Sequence, residues 1–132
     1  MVRTLKRLLI INDEADFLRL VSGTAERLGF ATRILRHTLD FEYVIRHWPP
    51  DCIAVQMDMP DHQDINVLEF LERSGFSGSV LLTGSVPEKA LHKTADVARF
   101  HGLKVTSVLA IPTNGAELES AVKLLINLDR AA

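Results

Sequence analysis

The sequence predicts an α/β fold in which helices cover both faces of a five-stranded parallel sheet. Two features of the chain support this prediction. Short apolar runs alternate five times with longer stretches in which apolar residues recur at helical spacing. The runs themselves are continuous, as is typical of parallel strands that are buried on both faces. We therefore expect five strand–helix units in a single sheet.

The first two units lie in the amino-terminal part of the chain. Residues 8–11 form a continuous apolar run and are the first predicted strand. The helix after them is expected to end near Gly29, because glycine readily adopts the left-handed conformation of a helix C-terminal cap. Residues 31–35 are predicted as the second strand, and residues 39–47 as a short helix that ends before Pro49.

The other three units follow the same pattern and carry clearer helix signals. Pro87 suits the first turn of a helix, where its missing N–H is not needed. Asn114 and Glu117 have the spacing of a capping box, which marks the start of the last helix. The predicted elements are strands over residues 52–57, 79–83 and 105–111, and helices over residues 65–73, 87–101 and 116–128.

Five such units favour the doubly wound, flavodoxin-like strand order 2-1-3-4-5. In sheets of this kind, ligands bind at the carboxyl ends of the strands, near the switch point between the first and third strands. Asn12 and Asp13 lie at the end of the first predicted strand, and Gln56 and Asp58 at the end of the third. The topology alone therefore predicts a functional site at these residues.

Composition and charge exclude several classes of protein. With 132 residues, 47% of them apolar and 24% charged, the chain suits a single domain over residues 1–132 with its core at about 7–128. A net charge of −2 provides no basic footprint for nucleic acid. No apolar run approaches the roughly 20 residues of a membrane span, and the one after the basic N-terminus is too short for a signal peptide. We expect a cytoplasmic domain that binds neither nucleic acid nor membrane.

Two segments resemble known functional motifs. Residues 50–60 read PDCIAVQMDMP, which is similar to the phosphorylation-site strand of bacterial response-regulator receiver domains, the CheY-like family. Residues 8–14 read LLIINDE and resemble the opening of that family, an apolar run followed by D-D-E. With the runs that end at Thr83 and Pro112, the resemblance covers residues 7–128. It implies a two-component signalling domain with the CheY-like form of the flavodoxin-like fold.

The family's functional positions are altered in this chain. The phosphoryl-accepting aspartate corresponds to Gln56, and the first of two metal-binding aspartates to Asn12, so that only Asp13 is retained. The lysine that would pair with the phosphoryl group corresponds to Ile111, and the aromatic switch residue to Val108. The resemblance therefore implies a degenerate receiver, or pseudo-receiver.

The resemblance also assigns further positions. Thr83 would supply the hydroxyl that contacts a phosphoryl oxygen, with Ser85 as the alternative. The backbone carbonyl of Asp58 would be a metal ligand. The Ile111–Pro112 peptide bond is expected to be cis, as it often is in the family. Residues 97–112 also resemble receivers that are attached to cyclic-di-GMP phosphodiesterase (EAL) domains.

The chemistry of the altered residues argues against phosphorylation at position 56. A carboxylate can attack phosphorus and form an acyl phosphate, whereas the neutral amide of Gln56 is a poor nucleophile. Magnesium prefers carboxylate oxygens; since Asp13 is the one retained, we expect weak Mg²⁺ binding and no required cofactor. The joint loss of the aspartate and of the lysine at position 111 avoids leaving an unpaired charge in a half-buried pocket.

We therefore expect a phosphorylation-independent regulatory module. Its partners would be other signalling proteins or an output domain in cis. The resemblance implies a contact face on the fourth helix, the fifth strand and the last helix, where a homodimer could also form. An enzyme is not expected, since no nucleophile elbow or Gly-rich phosphate loop is present.

Two alternatives stay open at this point. The chain could be a receiver that is still phosphorylated, with Asp58 as an atypical acceptor. It could instead be a module that binds a small molecule, such as a nucleotide or flavin, in the crevice at the strand ends.

Overall fold

The computed structural model describes residues 5–58 and 64–131, except the side chains of residues 64–66 and 127–131. Within these residues, five strands alternate with five helices. The strands are β1 Lys6–Ile11, β2 Phe30–Leu35, β3 Cys52–Gln56, β4 Ser79–Gly84 and β5 Lys104–Ala110. The helices are α1 Ala15–Arg27, α2 Phe41–His47, α3 Asp64–Arg73, α4 Glu88–Phe100 and α5 Gly115–Ala131.

The sheet is parallel throughout, with the strand order β2-β1-β3-β4-β5, which confirms the predicted doubly wound topology. β1 pairs with both β2 and β3, so the winding reverses between β1 and β3. The carboxyl ends of these two strands lie side by side, because Ile11 is paired with Val55. The next residue, Gln56, is paired with Thr83 of β4. The register therefore gathers the ends of β1, β3 and β4 at one edge of the sheet.

Alternate residues of the central strands face opposite layers of helices. Leu8 and Ile10 of β1 pack in a buried cluster with residues of α1 and α5. Leu9 and Ile11 pack in a second cluster with residues of α2, α3 and α4. All four side chains are 0% exposed, which explains why the strand appears in the sequence as a continuous apolar run.

The observed ends of β3 and β5 differ slightly from the predicted ones. Each strand ends one residue earlier than predicted, before Met57 and before Ile111. Both residues still donate an inter-strand hydrogen bond, from Met57 N–H to the Thr83 carbonyl at 2.8 Å and from Ile111 N–H to the Gly84 carbonyl at 2.9 Å. The apolar pattern therefore follows the hydrogen bonding, which continues one residue beyond the regular strand.

Several local signals have the expected structure. Gly29 lies two residues after α1 and has a φ of 92°, as its predicted capping role requires. The side-chain oxygen of Asn114 accepts a hydrogen bond from the backbone N–H of Glu117 at 2.9 Å, at the start of α5. The Ile111–Pro112 peptide bond is cis. Among the described residues, no helix has the length and apolar character of a membrane span.

Candidate functional site

The candidate site lies at the carboxyl edge of the sheet, where the connections after β1, β3 and β4 meet. The structure places Asn12 and Asp13 directly after β1, and Gln56 at the end of β3. Asp58 follows two residues later, and Thr83 is the Cα partner of Gln56 in β4. Residues 59 and 60, the last two of the PDCIAVQMDMP motif, lie outside the described residues.

Gln56 joins the end of β3 to the β1–α1 connection. Its side chain is 2% exposed, and its Oε1 atom accepts a hydrogen bond from the backbone N–H of Asp13 at 2.8 Å. A buried amide oxygen with a backbone donor is in the satisfied state that buried polar groups require. Gln56 therefore acts here as a structural bridge between two chain segments.

Asn12 organises the same connection from within. Its backbone N–H donates to the carbonyl oxygen of Leu35 at 2.9 Å, which ties it to the end of β2. Its Oδ1 atom accepts the N–H of Glu14 at 2.8 Å, an i to i+2 bond of the kind found in Asx turns. The side chain is 1% exposed, and its Nδ2 atom has no hydrogen-bond partner among the described residues. The amide oxygen of Asn12 is therefore already used by the backbone.

Two hydroxyl groups near the site have different environments. Thr83 is 1% exposed, and its Oγ1 atom makes a long hydrogen bond of 3.4 Å to the carbonyl oxygen of Val55, inside the sheet. Ser85 is exposed, and its hydroxyl donates to Glu14 Oε1 at 3.0 Å. The solvent-exposed hydroxyl of the site thus belongs to Ser85, which was the alternative to Thr83 for the phosphoryl contact.

Asp58 lies against the end of β4. Its Oδ2 atom accepts the backbone N–H of Ser85 at 3.1 Å. Its Oδ1 atom is buried and has no partner among the described residues. The carboxylate approaches Gly84 so closely that a Cβ atom on that residue would lie 3.2 Å from Oδ1. Gly84 thus allows the Asp58 side chain to fold back over the strand end.

Ile111 and Val108, which the resemblance aligns with a lysine and an aromatic residue, have apolar side chains. Ile111 is half-buried and packs against the core cluster on the α1 and α5 side of the sheet. Val108 packs against the cluster on the opposite side. Neither side chain can neutralise a phosphoryl group.

Sequence reasoning missed one cation at this edge, Arg36, and the bridging role of Ser85. Arg36 directly follows β2, and its Nη2 atom donates to the carbonyl oxygen of Asp13 at 3.3 Å. Arg36 could have been found from the topology, because the end of β2 neighbours the end of β1. The double role of Ser85 had no comparable signal, since it depends on where the Glu14 and Asp58 side chains point.

The residues do not fit the magnesium site that the fold would suggest. The side-chain oxygens of Asn12 and Gln56 that accept backbone N–H groups are amide oxygens, and Mg²⁺ sites usually include one or two carboxylates. The carboxylates of Glu14 and Asp58 both accept hydrogen bonds from Ser85. In the part of the chain that the structure describes, no group of three or more His, Cys, Asp or Glu residues is placed to hold a metal ion.

Comparisons with known proteins support the fold. No protein-family model matches the sequence, and no curated protein matches it significantly. The signal receiver domain of a putative Luxo repressor protein from Vibrio parahaemolyticus matches with a TM-score of 0.80 and 17% identity, over 96% of this chain and 94% of that chain.

Two further solved structures have similar scores. A CheY-like response regulator receiver domain protein from Methanospirillum hungatei JF-1 matches with a TM-score of 0.79 and 16% identity, over 98% of this chain and 100% of that chain. A response regulator from Colwellia psychrerythraea matches with a TM-score of 0.75 and 21% identity, over 98% of this chain and 100% of that chain. The chain therefore has the fold of receiver domains, the CheY-like form of the flavodoxin-like fold.

Proposed function

We propose that this chain, which has the receiver-domain fold, is a two-component signalling domain that works without phosphorylation of the family's acceptor position. One observation carries the proposal: the acceptor position is a buried glutamine whose Oε1 atom is hydrogen-bonded to the N–H of Asp13 at 2.8 Å. An acyl phosphate requires a carboxylate oxygen, which an amide does not provide. The domain then acts through protein–protein contacts and not as an enzyme.

The surroundings of Gln56 support the same proposal. Phosphoryl transfer depends on cations that stabilise the charge of the transferred group. Ile111 offers an apolar side chain at the place of the lysine, and Asn12 an amide at the place of a metal-binding carboxylate. The pocket thus lacks the nucleophile, the lysine and one metal-binding carboxylate. Restoring the acceptor alone would therefore not restore the chemistry.

Phosphorylation of Asp58 is the first rival. Its Oδ2 atom accepts the N–H of Ser85, and its Oδ1 atom is buried against Gly84. Attack on phosphorus would require this carboxylate to leave the hydrogen bond and turn toward solvent. This arrangement favours the reading of Asp58 as a structural carboxylate.

A small-molecule module is the second rival. A nucleotide or flavin would bind at the strand ends, where Asn12 and Gln56 already bond to backbone N–H groups. Thermal-shift measurements with nucleotides and flavins test this rival. A concentration-dependent rise in Tm with one of these ligands would favour it over a protein-interaction module.

The proposed contact face consists of α4, β5 and α5. An open cavity of about 430 Å³ lies there, and its lining includes Glu88, Val108, Pro112, Glu117 and Leu124. Leu124 is 43% exposed, which leaves apolar surface available to a partner. The proposed partners are another signalling protein, an output domain in cis or a second copy of this chain, in the cytoplasm and without nucleic acid. Light scattering of the wild type and of Leu124→Glu tests the second copy.

Incubation with acetyl phosphate and Mg²⁺, followed by intact-mass measurement, tests the main proposal. We expect no gain of a phosphoryl group, while a receiver domain with an intact acceptor aspartate, treated in parallel, gains one. A gain that disappears in Asp58→Asn would establish the first rival. A gain that persists in Asp58→Asn would place the acceptor elsewhere and equally contradict the proposal.

A further inference from the structure

We infer that Ser85 fastens the β4–α4 connection to the connections after β1 and β3, and thereby holds the start of α4 in one position without a metal ion or a phosphoryl group. We name the two hydrogen bonds from Ser85, to Glu14 and to Asp58, the Ser85 latch. The inference deepens the proposed function and rests on it, because the position of α4 matters for signalling only if α4 belongs to the contact face.

The Ser85 latch joins three separate segments through one residue. The hydroxyl of Ser85 donates to Glu14 Oε1 at 3.0 Å, and its backbone N–H donates to Asp58 Oδ2 at 3.1 Å. Glu14 is the residue before α1, and Asp58 follows β3 by two residues. Both acceptors are carboxylates, and hydrogen bonds to ionised acceptors are stronger than those between neutral groups.

The residues on either side of Ser85 explain why its position determines where α4 begins. Before it, Gly84 is held in the sheet by accepting the N–H of Ile111 at 2.9 Å. After it, Pro87 is the N-cap of α4, and its carbonyl oxygen accepts the N–H of Ala90 at 2.9 Å. Val86 is the one residue between Ser85 and Pro87. With Ser85 held at both its N–H and its hydroxyl, the backbone has little freedom before the helix.

The Ser85 latch joins loops that a bound metal ion could otherwise hold together. A divalent cation could hold several loops together by binding carboxylates from each of them. In this chain, the carboxylates of Glu14 and Asp58 are brought together by hydrogen bonds to one neutral residue instead. Gln56 adds a second bridge, to Asp13, at the same edge. The loops at this edge are therefore joined by side-chain hydrogen bonds of the chain itself.

Hydrogen–deuterium exchange of the segment from residue 84 to residue 91 tests the inference. In Ser85→Ala the exposed hydroxyl bond to Glu14 is lost, and we expect this segment to exchange about two- to tenfold faster, as the loss of one hydrogen bond of ordinary strength predicts. Glu14→Ala removes the same bond from the other side and is expected to give the same increase. In the double variant the two increases should not multiply, because both variants break one bond.

Three matched variants serve as controls. Glu14→Gln keeps a side-chain oxygen as acceptor, and Ser85→Thr keeps the hydroxyl, so both should exchange like the wild type. Ser22→Ala removes a hydroxyl that has no partner among the described residues and should leave the segment unchanged. Unchanged exchange in Ser85→Ala and Glu14→Ala would overturn the inference. So would a Glu14→Gln that exchanges like Glu14→Ala, since charge and not the hydrogen bond would then hold the loop.

The outcome is independent of the phosphorylation test. A phosphoryl gain with acetyl phosphate would overturn the proposed function and leave the exchange result as it stands. Faster exchange in residues 8–11 as well as in residues 84–91 of Ser85→Ala would indicate global destabilisation. In that case the comparison of Glu14→Ala with Glu14→Gln decides whether the bond between Ser85 and Glu14 holds the segment, because both variants leave Ser85 intact. Faster exchange of residues 84–91 in Glu14→Ala than in Glu14→Gln would support the inference, and equal exchange would overturn it.

Discussion

The side-chain oxygen of Gln56 accepts a hydrogen bond from the backbone N–H of Asp13 at 2.8 Å. Gln56 ends β3, and Asp13 lies two residues after the neighbouring strand β1, at the switch point of a doubly wound sheet where such folds bind their ligands. Gln56, which the family resemblance aligns with the phosphoryl-accepting aspartate, carries an amide that joins two chain segments. A substitution of Gln56 therefore changes both the chemistry available at this position and the stability of the site.

Gln56→Ala is predicted to lower the free energy of unfolding by about 1–3 kcal/mol, because the half-buried N–H of Asp13 loses its partner and a buried side chain is removed. Urea denaturation followed by circular dichroism measures the change. Ser22→Ala is the matched control: its hydroxyl has no partner among the described residues, and alanine has the higher helix propensity. A loss in Gln56→Ala no larger than that in Ser22→Ala would mean that the bond to Asp13 contributes little.

Gln56→Asp alone is predicted not to restore phosphorylation by acetyl phosphate and Mg²⁺. The new carboxylate would still lack the lysine at position 111 and the second metal-binding aspartate at position 12, so the charge of the transferred group would not be stabilised. The triple variant Asn12→Asp, Gln56→Asp, Ile111→Lys is the comparison, and we expect it to gain a phosphoryl group by intact mass. A gain in the single variant would show that the rest of the pocket is still competent.

Magnesium is predicted to bind weakly to the wild type. Titration with Mg²⁺, with and without beryllofluoride, should produce no saturable change in the amide NMR signals of Asp13 and Gln56, since Asn12 and Gln56 offer amide oxygens and not the carboxylates that Mg²⁺ prefers. The double variant Asn12→Asp, Gln56→Asp restores two carboxylates and should give saturable shifts. Saturable shifts of comparable affinity in the wild type would contradict the prediction of weak Mg²⁺ binding.

Ser79→Ala is predicted to destabilise the fold by about 1 kcal/mol, the typical contribution of one hydrogen bond. The Ser79 hydroxyl is buried at the start of β4 and donates to the carbonyl oxygen of Leu125 in α5 at 2.8 Å. Thermal or urea unfolding gives the value, and Ser107→Ala serves as a control, because the Ser107 hydroxyl has no partner in the described part of the chain. Equal effects of the two variants would show that the link from β4 to α5 is energetically unimportant.

Much of the fold could be predicted because the strands are buried on both faces. Leu8 to Ile11 appear as an unbroken apolar run since their side chains fill the two core clusters alternately. The strand ends were less predictable, because the hydrogen bonds of Met57 and Ile111 continue the apolar pattern beyond the regular strand. The side-chain partners within the site were not predictable, since they depend on rotamers and on the register between strands.

The sequence by itself determined that helices cover both faces of the sheet, and which residue types lie at the strand ends. Apolar periodicity specifies which faces are covered, and the sequence places amide side chains at positions 12 and 56 and an alkyl side chain at position 111. Only the tertiary structure decided which atoms meet: Gln56 with the N–H of Asp13, and Ser85 with Glu14 and Asp58. These partners lie 27 to 71 residues apart in the chain. Strand pairing brings such distant residues within hydrogen-bond distance, and no local pattern in the sequence encodes that approach.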